Sequence, residues 1–99
     1  MEIRVHSIHF DADKKLLEFI DRKVEKLTIF DDKLMSGEVF LRVEKANDDS
    51  NKVAEIKIKT PGSELFAKKQ CPSFEEATDL AVDALRKQIQ KNKEKVRGI

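Results

Sequence analysis

The chain has 99 residues, 20 Lys+Arg against 19 Asp+Glu for a formal net charge of +1, and 39% hydrophobic residues that include six Phe but no Trp or Tyr. That length fits one ordinary domain, residues 1–99, and the balanced total excludes a globally basic nucleic-acid binder. Long periodic apolar segments exclude a disordered chain.

Residues 2–10 read as a strand, with Ile3 and Val5 alternating against Arg4 and His6 and a phase shift near Ser7 before Ile8 and Phe10. Asp11 or Asp13 offers an N-cap. Residues 14–28 then carry Leu16, Leu17, Phe19, Ile20, Val24 and Leu27 at helical spacing, which predicts an amphipathic helix. Residues 31–37 form a polar connector. Residues 38–45 alternate Val39, Leu41 and Val43 with Glu38, Phe40, Arg42 and Glu44, a second strand.

Residues 47–51 are a loop by composition, because short polar side chains compete for backbone hydrogen bonds. Residues 52–60 alternate again, Ala54, Ile56 and Ile58 opposing Val53, Glu55, Lys57 and Lys59. Pro61-Gly62 signals a turn, and residues 64–70 make a fourth strand with Leu65 and Ala67 inward. Ser73-Phe74-Glu75-Glu76 has the Ser-x-x-Glu capping-box form. A helix of 20 or more residues follows, its apolar stripe read as Phe74, Ala77, Leu80, Ala81, Ala84, Leu85, Ile89 and Val96. The order β-α-β-β-β-α, with alternating strands, predicts an α+β two-layer sandwich: a four-stranded sheet with both helices packed on one face.

The near-zero total hides a segregation. Residues 1–72 are neutral; residues 73–85 hold Glu75, Glu76, Asp79 and Asp83 and no cation; residues 86–99 hold Arg86, Lys87, Lys91, Lys93, Lys95 and Arg97 against Glu94 alone. Acids at a helix start and bases at its end complement the macrodipole, but that effect fades beyond the terminal turn, and this basic run covers about three turns. Lys87, Lys91 and Lys95 form an i, i+4, i+8 ribbon that drifts into the arc of Ala77, Leu80 and Ala84. This predicts a helix run past its core, with Arg86, Lys93 and Arg97 as a second ribbon on the far side. In the first helix Lys23 interrupts the stripe Leu16–Ile20–Leu27 and shares a face with Lys26, a pair able to snorkel at the stripe's border.

The open sheet face is expected to carry Arg4, His6, Phe40, Arg42, Lys57, Lys59, Phe66 and Lys68. Cations and aromatics suit base stacking, but Glu38, Glu44, Glu55 and Glu64 share the surface, so it reads as a solvated face with cross-strand pairs. His6 and His9, three apart in a regular strand, point to opposite faces. Cys71, the single cysteine, excludes a disulfide framework and a Cys-based zinc site, and it has no resolving partner. Three glycines leave no phosphate-cradling loop. Catalysis has no visible seat, and no metal, cofactor or small-molecule substrate is called for. No apolar run reaches the roughly 20 residues of a membrane span, and the N-terminus lacks a signal peptide's apolar block. The expectation is a soluble cytoplasmic protein with no membrane partner.

Several pieces, in order and spacing, resemble one family: Val43-Glu44-Lys45, Pro61-Gly62-x-Glu64-Leu65, Phe74-x-x-Ala77-x-Asp79 and Lys91-Asn92-Lys93-Glu94-Lys95. The chain resembles the bacterial ribosome hibernation promoting factors, or ribosome-associated translation inhibitors, in their short form. The resemblance implies a β-α-β-β-β-α domain akin to a double-stranded-RNA-binding fold. It implies binding to the small ribosomal subunit, on 16S rRNA and neighbouring ribosomal proteins, in the channel of messenger and transfer RNA. Translation is thereby silenced in slow growth or stress. The implied rRNA-binding positions are Lys23, Lys26, Lys87, Lys91, Lys93 and Lys95, to which the charge pattern adds Arg86. Arg86 stands where the family often has a small residue, and Asn92 replaces a frequent His. The alternatives are a general double-stranded-RNA-binding module or a small protein-docking domain.

Overall fold

In the computed structural model, which describes the backbone of residues 1–96 and the side chains of residues 1–93, the elements run in a single β-α-β-β-β-α order. They are β1 (Glu2–Ser7), α1 (Lys14–Glu25) with a 3-10 turn (Lys26–Ile29), β2 (Ser36–Val43), β3 (Lys52–Thr60), β4 (Ser63–Cys71) and α2 (Phe74–Val96). The sheet order is β1-β2-β3-β4, with β1 parallel to β2 and the other pairs antiparallel. Val5, Val39, Ile56 and Ala67 align as one row across all four strands. With Leu41, Ala54 and Ile58, this row faces Ile20, Val24 and Leu27 from the α1 segment and Ala77, Ala81, Leu85 and Ile89 from α2 in one apolar core. The expected α+β sandwich is therefore what forms, because strict alternation leaves one apolar sheet face that only the two helical stripes can cover.

Local chemistry sets the boundaries. β1 stops at Ser7, earlier than the sequence pattern predicts: the Ile8 amide still donates to the Leu41 carbonyl at 2.9 Å, but His9 turns to φ 65 and breaks the strand. Asp13 caps α1, its carboxylate accepting from the Leu16 amide at 2.8 Å. The helix then tightens rather than running to residue 28, as the Thr28 hydroxyl donates to the Glu25 carbonyl at 2.7 Å and Leu27 stays buried in the 3-10 turn. β2 begins at Ser36, inside the expected connector, because Gly37 lies under α1. A Cβ there would sit 3.2 Å from Ile58 Cδ1 and 3.3 Å from Val24 Cγ1. At the β3–β4 turn Gly62 takes φ 77, as the second residue of a Pro-Gly turn requires.

α2 packs on β4 and β3 and against α1. The Ser73 hydroxyl accepts from the Glu76 amide at 3.1 Å, the N-terminal half of the capping box. Its buried stripe is Phe74, Ala77, Thr78, Ala81, Leu85 and Ile89. Leu80, placed on that stripe by the sequence reading, is 52% exposed. The arc Leu80–Lys87–Lys91 thus faces solvent beside the core, and its lysines lie there because no core faces that arc.

Candidate nucleic-acid interface

The cations of α1 and α2 meet in a groove between the two helices. Lys23, Lys26, Leu27, Phe30, Asp79, Val82, Asp83 and Arg86 line it, enclosing about 230 Å³. Lys23 reaches it by snorkelling: its stem crosses the border of the buried stripe, and Nζ stops 5.4 Å from the Phe19 ring centroid and 3.1 Å from Asp79 Oδ1. Lys26 opens the 3-10 turn and is exposed. Arg86 lies with its Cζ 5.9 Å from the Phe30 ring centroid, and its guanidinium contacts Asp83 at 3.1 Å and Gln90 at 3.3 Å. Lys93 Nζ donates to the Phe30 carbonyl at 2.8 Å.

This corrects the expected ribbons. Arg86 and Lys93 face the α1 segment and not the far side of α2. Lys93 continues the buried line Leu85–Ile89 by one turn, which brings it to the end of the 3-10 turn. Lys87 and Lys91 form an exposed ridge on the other flank, Lys87 tied to Asp83 at 3.3 Å and Lys91 open to solvent. The side chain of Lys95, and Arg97, lie outside the described residues. The predicted cations therefore form a groove set (Lys23, Lys26, Arg86) and a ridge pair (Lys87, Lys91), while Lys93 lines a separate cavity with Asp31 and Asp32.

The sequence reading missed the acids inside this basic surface. Acids near the start of α2 suit the helix dipole, yet Asp79 and Asp83 pair directly with Lys23, Arg86 and Lys87. Hydrogen bonds from Arg86, then Lys87, hold the Asp83 carboxyl below its ordinary range. The signal was present in the i, i+3 and i, i+4 spacings of Asp83, Arg86 and Lys87. Arg22 and Phe19 were missed too; the Arg22 guanidinium carbon lies 5.8 Å from the Phe19 centroid.

The opposite face of the sheet is laced by charge pairs, as expected. Arg42 bonds Glu44 at 2.6 Å and Glu55 at 2.5 Å, and His6 Nε2 lies 2.9 Å from Glu38 Oε2 while its ring stacks on Phe40. Val53, on this face, is fully covered. Cys71 is buried, and burial pushes its thiol pKa up. Among the described residues no group of three His, Cys, Asp or Glu could hold a metal ion, and no helix is long and apolar enough to cross a membrane.

A profile of the family described as Sigma 54 modulation protein / S30EA ribosomal protein matches residues 3–97. The chain is similar to the ribosome hibernation promoting factor of Pseudomonas putida, at 24% identity over 99 residues, covering 100% of this chain and 93% of that relative. Among solved structures, a ribosomal subunit interface protein from Coxiella burnetii superposes with a TM-score of 0.83 at 20% identity, over 95% of this chain and 99% of that one. The Thermus thermophilus Protein Y N-terminal domain gives a TM-score of 0.79 at 20% identity, over 92% and 98%. At these identities the structural likeness shows the shared α+β fold.

Proposed function

The chain belongs to the Sigma 54 modulation protein / S30EA ribosomal protein family, and from that membership we propose that it is a non-enzymatic ribosome hibernation factor acting in the cytosol. It binds the small ribosomal subunit in the channel of messenger and transfer RNA and blocks translation by occupancy. The hibernation role comes from the similarity to the Pseudomonas putida factor. The rRNA contacts are argued from this chain's own side chains.

The observation that carries the reading is the helical layer, where Lys23, Lys26 and Arg86 meet in one groove and Lys87 and Lys91 flank it. Cations gathered from two neighbouring helices, in and beside one groove, match a sugar-phosphate backbone, which such groups hold without reading sequence. Lys26, Lys87 and Lys91 are exposed, and Arg86, lying over Phe30, brings its fork-shaped donors to the groove. Lys93 lies one turn further along α2 than Ile89. Shape supplies the rest of the specificity: a two-layer wedge fits a channel, and occupancy of that channel is the whole mechanism.

Binding of the full chain to purified small subunits, measured against salt, tests this. Four to six neutralised phosphates give a slope of log K on log salt of about −3 to −4, at roughly 0.7 per contact. Replacing Lys26, Lys87 and Lys91 by Ala should weaken binding and flatten that slope. Affinity that is flat between low and moderate salt rules the reading out. Displacement from subunits by equal concentrations of generic duplex RNA points instead to a general double-stranded-RNA-binding module. Cosedimentation that survives both salt and RNA competitors points to a protein-docking domain.

A further inference from the structure

We propose that Asp79 and Asp83 are specificity-determining residues that keep the cationic surface from binding RNA phosphate indiscriminately. The inference rests on the RNA-binding reading above and deepens it.

Both carboxylates rise from α2 one helical turn apart. Asp79 Oδ1 lies 3.1 Å from Lys23 Nζ; Asp83 contacts Arg86 at 3.1 Å through one oxygen and Lys87 at 3.3 Å through the other. Two acids thus occupy three of the cations meant for phosphate. Among the described residues neither has another ionic partner. Asp83 sits more than two turns into α2, beyond the first turn where an acid gains from the helix dipole. Both side chains are about half exposed, at 50% and 49%, where an ion pair adds little to folding. Their cost falls on polyanion binding, since a phosphate that approaches Lys23, Arg86 or Lys87 also meets a carboxylate.

A generic RNA duplex presents phosphates at every approach and must displace both carboxylates to use the full groove. A folded RNA surface that sets a hydrogen-bond donor, such as a base amino group or a 2′-hydroxyl, opposite Asp79 or Asp83 meets no such repulsion. Its phosphates can meanwhile reach Lys26 and Lys91. The acids therefore penalise uniform negative charge more than a mixed surface, and discrimination comes from what is repelled as much as from what is bound.

The test uses the full chain and its Asp79→Asn/Asp83→Asn variant, with Asp48→Asn/Glu64→Gln as a control. The control changes the net charge equally but lies in the β2–β3 loop and on the opposite sheet face. Affinity for random-sequence duplex RNA and for purified small subunits is measured across salt. In the groove variant, duplex affinity is expected to rise about tenfold and its salt slope to steepen by about 1.4–1.8, for two charges unmasked. Subunit affinity should stay level or fall, so the preference for subunits drops by about tenfold. The control should move both affinities alike. An unchanged preference in the groove variant, or an equal loss in the control, overturns the inference. Wild-type binding to subunits that is insensitive to salt fails the underlying reading instead. Should the double variant not fold, Asp79→Asn alone decides, with half the slope change expected.

Discussion

Lys93 Nζ donates to the main-chain carbonyl of Phe30 at 2.8 Å, across 63 residues of sequence, and so ties the last described turns of α2 to the end of the 3-10 turn. The contact gives one lysine two tasks, holding the helical layer together and lying on its cationic surface. Lys91, two residues earlier, has an exposed side chain. Replacing Lys93 by Met keeps the stem and removes the donor; a loss of about 1 kcal/mol in urea denaturation is expected, the net worth of a partly buried hydrogen bond. Lys91→Ala should leave stability within about 0.5 kcal/mol, as for other surface changes, yet weaken subunit binding. Equal stability losses in the two variants would show that the Lys93–Phe30 bond does not hold the layer.

Gly37 sets how closely α1 approaches the sheet. An added Cβ would lie 3.2 Å from Ile58 Cδ1 and 3.3 Å from Val24 Cγ1, both fully buried. Both neighbours must give by a few tenths of an ångström, Ile58 within the sheet and Val24 together with α1. Gly37→Ala is expected to cost about 1–3 kcal/mol, the range for overpacking a filled core. Because α1 carries Lys23 and leads into Lys26, a shift of Val24 with its helix should also weaken RNA binding. A variant of unchanged melting temperature would show that α1 has slack at this crossing.

Gly37 also shows what the sequence could and could not give. Alternation and helical spacing marked all six regular elements, because each has one buried face whose period survives in the residue order. A glycine between polar residues looks like a connector, though, and only the packing of Val24 against Ile58 reveals it as part of β2. Leu80 was misplaced for a related reason: Ala77–Leu80–Ala84 and Ala77–Ala81–Leu85 are both valid helical arcs, and the position of the sheet chooses between them. At the site, the cations were legible as a basic run. The Lys23–Asp79 pair joins two helices 56 residues apart, and no local pattern announces such a contact.

Arg42 bridges Glu44 and Glu55 on the open sheet face, above the covered Val53. The Arg42 hydrogen bond holds the Glu44 carboxyl below its ordinary value of 4.5. A depressed carboxyl binds fewer protons folded than unfolded, so its stabilising effect is present above that ordinary value and is lost as pH falls through the lower folded one. Asp83 follows the same sign, through Arg86 and Lys87. Denaturation midpoints taken between pH 6 and pH 3 should fall, and the fall should be shallower in Glu44→Gln and, by the small margin of a half-exposed pair, in Asp83→Asn. A variant that tracks the wild type over this window would show that its carboxyl titrates alike in both states.

Cys71 gives the opposite limb of the pH profile. It closes β4 with 6% of its surface exposed, and burial first, then the Glu76 charge, raises its thiol above the ordinary value of 9.0, against a smaller opposing pull from Lys69. The unfolded thiol therefore ionises first. Above about pH 9 the folded state retains a proton that the unfolded state has released, and stability declines with rising pH until the folded thiol also ionises. Two measurements follow from this. A thiol reagent at pH 8 should label the native protein far more slowly than the urea-unfolded chain, because the nucleophile is the thiolate and both access and ionisation are suppressed. Between pH 8 and pH 10 the fall in denaturation midpoint should be shallower in Cys71→Ala than in the wild type, even though the variant starts lower by about 1 kcal/mol for its lost burial. Rapid native labelling at pH 8 would place the sulfur at the surface and remove the alkaline limb with it.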